Sequence, residues 1–162
     1  MRSILTLPDQ RLRKNARVVE SFDASLKDLF EEMEQLMMGG PGGVGIAAPQ
    51  LGELVQAVIV DCSLGQRPCK NNGRLWMVNP EIITHSGEVL GREGCLSVPE
   101  WVAMVPRAKR IEVRYDDVFG ESHSLITSTF EARVIQHELD HLKGILFVDR
   151  VVSTHDLVRR MG

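Results

Sequence analysis

Cysteine is scarce in this chain, three residues in 162, and an odd count of Cys62, Cys69 and Cys95 is poor material for a disulfide framework. A bridge from Cys62 to Cys69 is not expected in a reducing compartment. Also missing is any apolar run near the roughly 20 residues that a membrane span needs. The opening MRSILTLPDQRLRK lacks the apolar core and small-residue cleavage site of a secretory signal, so a cytoplasmic location with no membrane partner is the expectation. No sign of charge dominates: 19 Lys and Arg face 22 Asp and Glu, and a net charge of -3 gives no electrostatic reason to expect nucleic acid. Repeats, low-complexity tracts and linkers are absent too. With 43% hydrophobic and 25% charged residues, the chain reads as one ordinary globular domain over residues 1–162.

What is present alternates between extended and helical patterns. Residues 1–20 read as an arm with a turn at Leu7, Pro8 and Asp9 and a solvated basic run. From Asp23 to Met38, Leu26, Leu29, Phe30, Met33, Leu36 and Met37 recur at helical spacing, opened by Asp23 or Ser25 and closed by Gly39 and Gly40. Strands are expected over 55–61, 75–84, 101–105, 110–115 and 122–126, with a turn-rich excursion at 62–74 and a brief strand at 145–147. A last short helix is expected from Ser153 to Met161. The sum is an α+β fold: mainly antiparallel sheets packed around one buried metal-binding helix, with a second, N-terminal amphipathic helix.

That metal-binding helix carries Gln136, His137, Glu138, Leu139, Asp140 and His141. Two histidines four residues apart, with glutamate directly after the first, present two imidazoles to one metal and a carboxylate to its water. At about 100° per residue, His137 and His141 share a stripe with Phe130 and Val134, and Glu138 lies about 100° to the side. Ala132, Ile135, Leu139 and Leu142 form a second apolar arc, and Arg133, Gln136 and Asp140 a polar one. Ser128 with Glu131 three residues on is a capping-box pattern, and Gly144 marks the end.

A catalytic site needs a third protein ligand and one open position. The extended metalloprotease pattern would put a histidine at 147, which is Phe147, and no glutamate follows His141. Upstream, Cys95 between Gly94 and Leu96 either supplies a thiolate or is a buried small hydrophobe. The glycine-rich stretch 39–50 is not a phosphate loop, lacking Gly-Lys-Ser/Thr. Its Gln50 is either a hydrogen-bonding group for a reacting centre or a solvent-facing turn residue.

Three stretches together, Gly43 to Gln50, Glu93 to Ser97 and Gln136 to His141, resemble the signature motifs of peptide deformylases, in the same order and over nearly the whole chain. The resemblance implies removal of the formyl group from the N-terminal N-formylmethionine of nascent polypeptides, with release of formate. It implies Cys95, His137 and His141 as metal ligands, and Fe(II) as the native ion where softness and geometry alone favour Zn; Ni or Co can also occupy such a site. Glu138 would take the water proton and return it to the departing amine, while the Gln50 amide and the Leu96 backbone N–H stabilise the oxyanion. The peptide would run as an added strand along Val44, Gly45 and Gly94, with its methionine in an apolar pocket lined by Phe130, Val134 and His137. Arg133 reads as surface or structural. Glu93 and Asp140 either pair with Arg107 and orient an imidazole or are solvated.

Two departures from the family stand out. Many bacterial members carry a longer basic C-terminal helix that docks on the ribosome, whereas this sequence stops soon after Arg159 and Arg160, which counts against ribosome association. Some members have an arginine where this chain has Val102, and Trp101 with Val102 suggests a more apolar rim. A zinc endopeptidase is disfavoured by Phe147, the missing downstream glutamate and the small size. A purely structural metal site would need a fourth Cys or His and leaves Glu138 and Gln50 without purpose.

Overall fold

A computed structural model describes residues 2–40 and 43–160. The N-terminal arm turns at a cis Leu7–Pro8 bond into a 3-10 helix, Gln10–Arg13. Helix α1, Ala24–Gly39, starts where the Asp23 carboxylate accepts the N–H groups of Ser25 and Leu26, and buries Leu26, Phe30, Met33 and Met37, the spacing read from the sequence.

Strands β1 (Gly45–Ala47), β2 (Ala57–Asp61), β3 (Arg74–Ser86), β6 (Arg110–Asp116) and β7 (Ser122–Ser128) form an antiparallel sheet in the order β1-β2-β3-β6-β7. Strands β4 (Val89–Cys95), β5 (Val98–Arg107) and β8 (Val158–Arg159) form a second antiparallel sheet in the order β4-β5-β8. Helix α2 spans Thr129–His141.

Strand β2 is buried at every position because the two faces of its sheet pack on different helices. Ala57 and Ile59 sit with Phe30, Met33 and Met37 of α1, while Val58 and Val60 sit with Ala132, Val134, Ile135 and Leu139 of α2. A strand covered on both sides reads as a continuous apolar run, and 57–60 is one. A third cluster joins Leu12 of the arm, Cys95, Val98, Ala103 and Val105 of the smaller sheet, and Leu146 and Phe147. Helix α2 thus lies with one apolar arc on the large sheet and its polar arc toward the small one. It has few exposed positions: even Arg133, Asp140 and both histidines are buried.

Three expectations are corrected. Ser128 precedes α2 but its side chain makes no capping bond. Glu131 instead accepts from the Asn72 backbone N–H at 2.7 Å, the Asn72 amide at 2.5 Å and the Thr127 hydroxyl at 2.8 Å, tying the helix start to the 62–74 excursion. The expected strand at 145–147 is not one: Phe147–Asp149 form a 3-10 turn, closed by the Asp149 carboxylate accepting the Leu146 N–H, and Leu146 and Phe147 are buried without a strand to pair with. In place of a helix from Ser153 there is a 3-10 turn, Thr154–Asp156, followed by β8, whose pairing with β5 satisfies backbone that a helix would have satisfied internally; Met161 lies outside the described residues.

Gly144 does follow α2, at φ 71°, and a Cβ there would lie 2.4 Å from the Arg13 carbonyl oxygen, so both conformation and space require glycine.

Candidate metal centre

The structure brings Cys95, the last residue of β4, against His137 and His141 on α2. One ligand atom from each lies within 4.8 Å of the others. His141 Nε2 is 3.4 Å from Cys95 Sγ. Sulfur and imidazole nitrogen bound tetrahedrally at about 2.3 and 2.0 Å would stand about 3.5 Å apart, so the observed spacing fits one ion between them. His137 Nδ1 lies 2.8 Å from Glu93 Oε1, which fixes that nitrogen as the N–H donor and turns Nε2 toward the cluster. Burial pushes the Cys95 thiol up, but the charge of His141 and the hydrogen bonds of His137 and His141 bring it well below its usual value, toward the thiolate a metal binds.

Beside these donors stand two polar groups, Glu138 from α2 itself and Gln50 from another element. Glu138 is 4% exposed, and its Oε1 is buried without a hydrogen-bond partner among the described residues. Burial raises its carboxyl to about 7, against the opposing pull of His137 and His141. It packs directly on β1: a Cβ on Gly45 would lie 2.5 Å from Glu138 Oε2 and 3.0 Å from Val134 Cγ1, so the glycine there makes room for the carboxylate. Gln50, in the 3-10 turn Ala48–Leu51, is 2% exposed rather than solvent-facing. Its Oε1 accepts the Ala47 N–H at 2.9 Å, and its Nε2 therefore donates toward Ser97 Oγ at 3.1 Å and Cys95 Sγ at 3.6 Å. Leu96 occupies the turn between β4 and β5.

The sequence profile of polypeptide deformylases matches residues 1–156. The chain belongs to this family. A curated peptide deformylase from Desulfotalea psychrophila is 43% identical over 150 residues, covering 93% of this chain and 87% of that one. The crystal structure of a peptide deformylase from Legionella pneumophila superposes with a TM-score of 0.87 at 40% identity, covering 96% of this chain and 88% of that one. A Met-Ala-Ser-bound class I type b peptide deformylase from Acinetobacter baumannii gives 0.86 at 35% identity, covering 93% and 98%. Members are metal-dependent hydrolases that remove the formyl group from N-formylmethionine of nascent polypeptides.

The motifs that carry the family likeness converge on a cavity of about 260 Å³. Val44, Gly45, Gly94, Phe130 and Val134 all line it, together with Gln50, Cys95, Leu96, His137 and Glu138. Phe130 stands at the rim, 42% exposed, and Val134 is buried below it. Strand β1 is the edge of the large sheet and β4 the edge of the small one, so each leaves one side of its backbone unpaired within its sheet.

Behind the centre lies a buried charge network of which only fragments are visible in the local motifs. Glu93 accepts from Arg107 Nε and Nη2, both at 2.9 Å, from Arg133 Nη1 at 2.7 Å and from His137. Asp140 accepts from Arg107 Nη1 at 2.6 Å and from Arg150 Nε and Nη2 at 3.0 and 2.9 Å. Arg133 also donates to the Val105 and Val89 carbonyls, so of the two roles open to it the structural one is observed. Glu93 is opposed by burial, yet Arg107 and His137 hold its carboxyl down at about 2.

Cys62 and Cys69 are free and stand apart from the Cys95 cluster. The expected apolar rim is corrected: Val102 is buried, and the wall around Gly94 carries Arg92 and Arg160 instead. Nothing in the sequence pattern pointed to Arg160, because only the pairing of β8 with β5 brings it there.

Proposed function

We propose that Cys95, His137 and His141 hold the family's divalent ion, with Fe(II) the native one, and that Glu138, Gln50 and Leu96 complete the catalytic group. The observation that carries this reading is the buried Glu138 Oε1, without a partner among the described residues, beside a Cys-His-His donor set whose ligand atoms lie within 4.8 Å of one another. No fourth Cys or His joins those donors among the described residues, which favours an open catalytic site over a closed structural one. When bound, the ion supplies Lewis acidity and brings the pKa of a water down toward neutrality.

Glu138, held near neutral pKa by burial, takes the proton from the attacking water and returns it to the amine as the formyl C–N bond breaks. Water thereby splits into the hydroxyl of formic acid and the proton of the new N-terminus. Gln50 donates from Nε2 to the oxyanion at the formyl carbon, its orientation fixed by the bond that Ala47 makes to Oε1. The Leu96 backbone N–H is the second donor. Val44 and Gly45 on one side and Gly94 on the other offer edge-strand backbone to the peptide, and Phe130 and Val134 take the methionine side chain. A cytoplasmic place of action belongs to the same proposal and rests on the family reading. No described helix is long and apolar enough to cross a membrane. Direct ribosome association is not part of this reading.

The test is formate release from formyl-Met-Ala-Ser by anaerobically purified protein, with metal assayed on the same sample. About one ion per chain and steady release are expected, and Cys95→Ala should abolish both. Release undiminished by that substitution would remove Cys95 from the centre. Gln50→Ala should lower kcat by roughly 10²–10³-fold while metal content stays unchanged, as for loss of one oxyanion donor elsewhere. A loss confined to KM would assign Gln50 to substrate binding only.

A further inference from the structure

Strand β8 returns the chain to the small sheet and pairs Val158 with Val102, which in turn pairs with Gly94. Residues directly opposite in a sheet share a face, and residues two apart along a strand do as well. Arg92, Gly94, Val102, Val158 and Arg160 therefore lie on one face, opposite the buried face that carries Glu93. The Arg160 backbone N–H is fixed by the Glu100 carbonyl at 2.7 Å. Its guanidinium reaches across: a Cβ on Gly94 would lie 2.5 Å from Arg160 Nη2 and 3.3 Å from Val102 Cγ1. Glycine at 94 leaves the space in which the guanidinium sits.

Arg92 and Arg160 both line the cavity, and among the described residues neither guanidinium has a hydrogen-bond or ion-pair partner. The neighbouring cations differ. Arg159 pairs with Glu100 at 3.5 Å and lies over Trp101, and Arg133 is bound by Glu93. The mouth of the site thus carries two uncompensated cations beside the edge strand along which the peptide runs. We propose that Arg160, with Arg92, forms a carboxylate-binding subsite that selects N-formyl peptides with an acidic side chain just downstream of the methionine. This rests on the deformylase reading of the same cavity. An extended chain advances about 3.3 Å per residue, so with methionine at Phe130 and Val134 the third residue lies about two steps along β4.

The experiment compares formate release from formyl-Met-Ala-Asp, formyl-Met-Ala-Ser and formyl-Met-Ala-Lys by the metal-loaded enzyme, and binding of the products Met-Ala-Asp and Met-Ala-Lys by calorimetry. Expected is a kcat/KM about fivefold or more higher for the Asp than for the Lys peptide, carried by KM and weakened by added salt. Arg160→Gln should level the three peptides and the two product affinities, whereas Arg159→Gln should leave the preference in place. Thermal melts check that each variant is folded. Equal rates for all three peptides with the wild-type enzyme, or a preference that survives Arg160→Gln, would overturn the subsite while leaving the deformylase reading intact. No formate from any of the peptides would instead remove the reading on which it rests.

Discussion

Glu138→Gln is expected to cut kcat for formate release by roughly 10²–10⁴-fold, with metal content and melting temperature held at or above the wild-type values. The substitution keeps the shape of a side chain packed against Gly45 and changes only its ability to carry a proton. Folding should not suffer. Glu138 Oε1 has no partner to lose, and burial already disfavours its charge, as the rise of its carboxyl to about 7 shows. Metal should not suffer either, since the proposed donor atoms come from Cys95, His137 and His141. The decisive comparison is turnover against bound metal in one preparation. Release at the wild-type rate with a full site would exclude Glu138 as the proton carrier; loss of metal together with activity would make it a ligand instead.

Much of this centre was legible because it is built from local sequence. The helical repeat that puts His137, Glu138 and His141 on adjacent parts of one helix is fixed by backbone geometry, and Asp23 caps α1 through bonds to residues two and three ahead. Elements whose form depends on distant partners were not legible. Glu131 has the spacing of a capping box, but Asn72, 59 residues upstream, competes for its carboxylate and wins. Strand β8 is only two residues long and exists because β5 offers an unpaired edge. Strand β4, with Gly91 and Gly94 inside it, has little strand propensity, and its pairing with β5 over 89–95 overrides that. Phe147 replaces a hoped-for ligand in one metalloprotease pattern; in the structure it is core, its ring 6.2 Å from that of His137. The family itself was visible because three local motifs coincide, and the chain's membership bears that out.

The polar side of α2 carries the largest expected effect on stability. Arg107 joins Glu93 to Asp140, and all three are buried. Arg107→Ala leaves two carboxylates short of donors in a site that water barely reaches, and breaking such a pair typically costs about 3–5 kcal/mol. Set against a typical total of about 5–15 kcal/mol, that should lower the melting temperature by roughly 10 °C. The pH dependence separates charge from packing. Glu93 has a folded value of about 2 against an ordinary 4.5, and Asp140 is likewise lowered, so their contribution is fully present above the ordinary values and is lost as pH falls through the folded ones. The gap between wild type and Arg107→Ala should therefore be widest near neutrality and narrow between pH 4.5 and about 2. Arg150→Ala removes a side chain 45% exposed from the same Asp140 and should cost at most about 1 kcal/mol. The metal responds through His137: with Arg107 gone, the Glu93 carboxylate keeps only Arg133 and His137, and affinity should fall by roughly 10–100-fold, as for other losses behind a ligand. A gap that stays constant with pH, with metal affinity unaltered, would mean that Arg107 fills space beneath the centre and does not hold its charges in place.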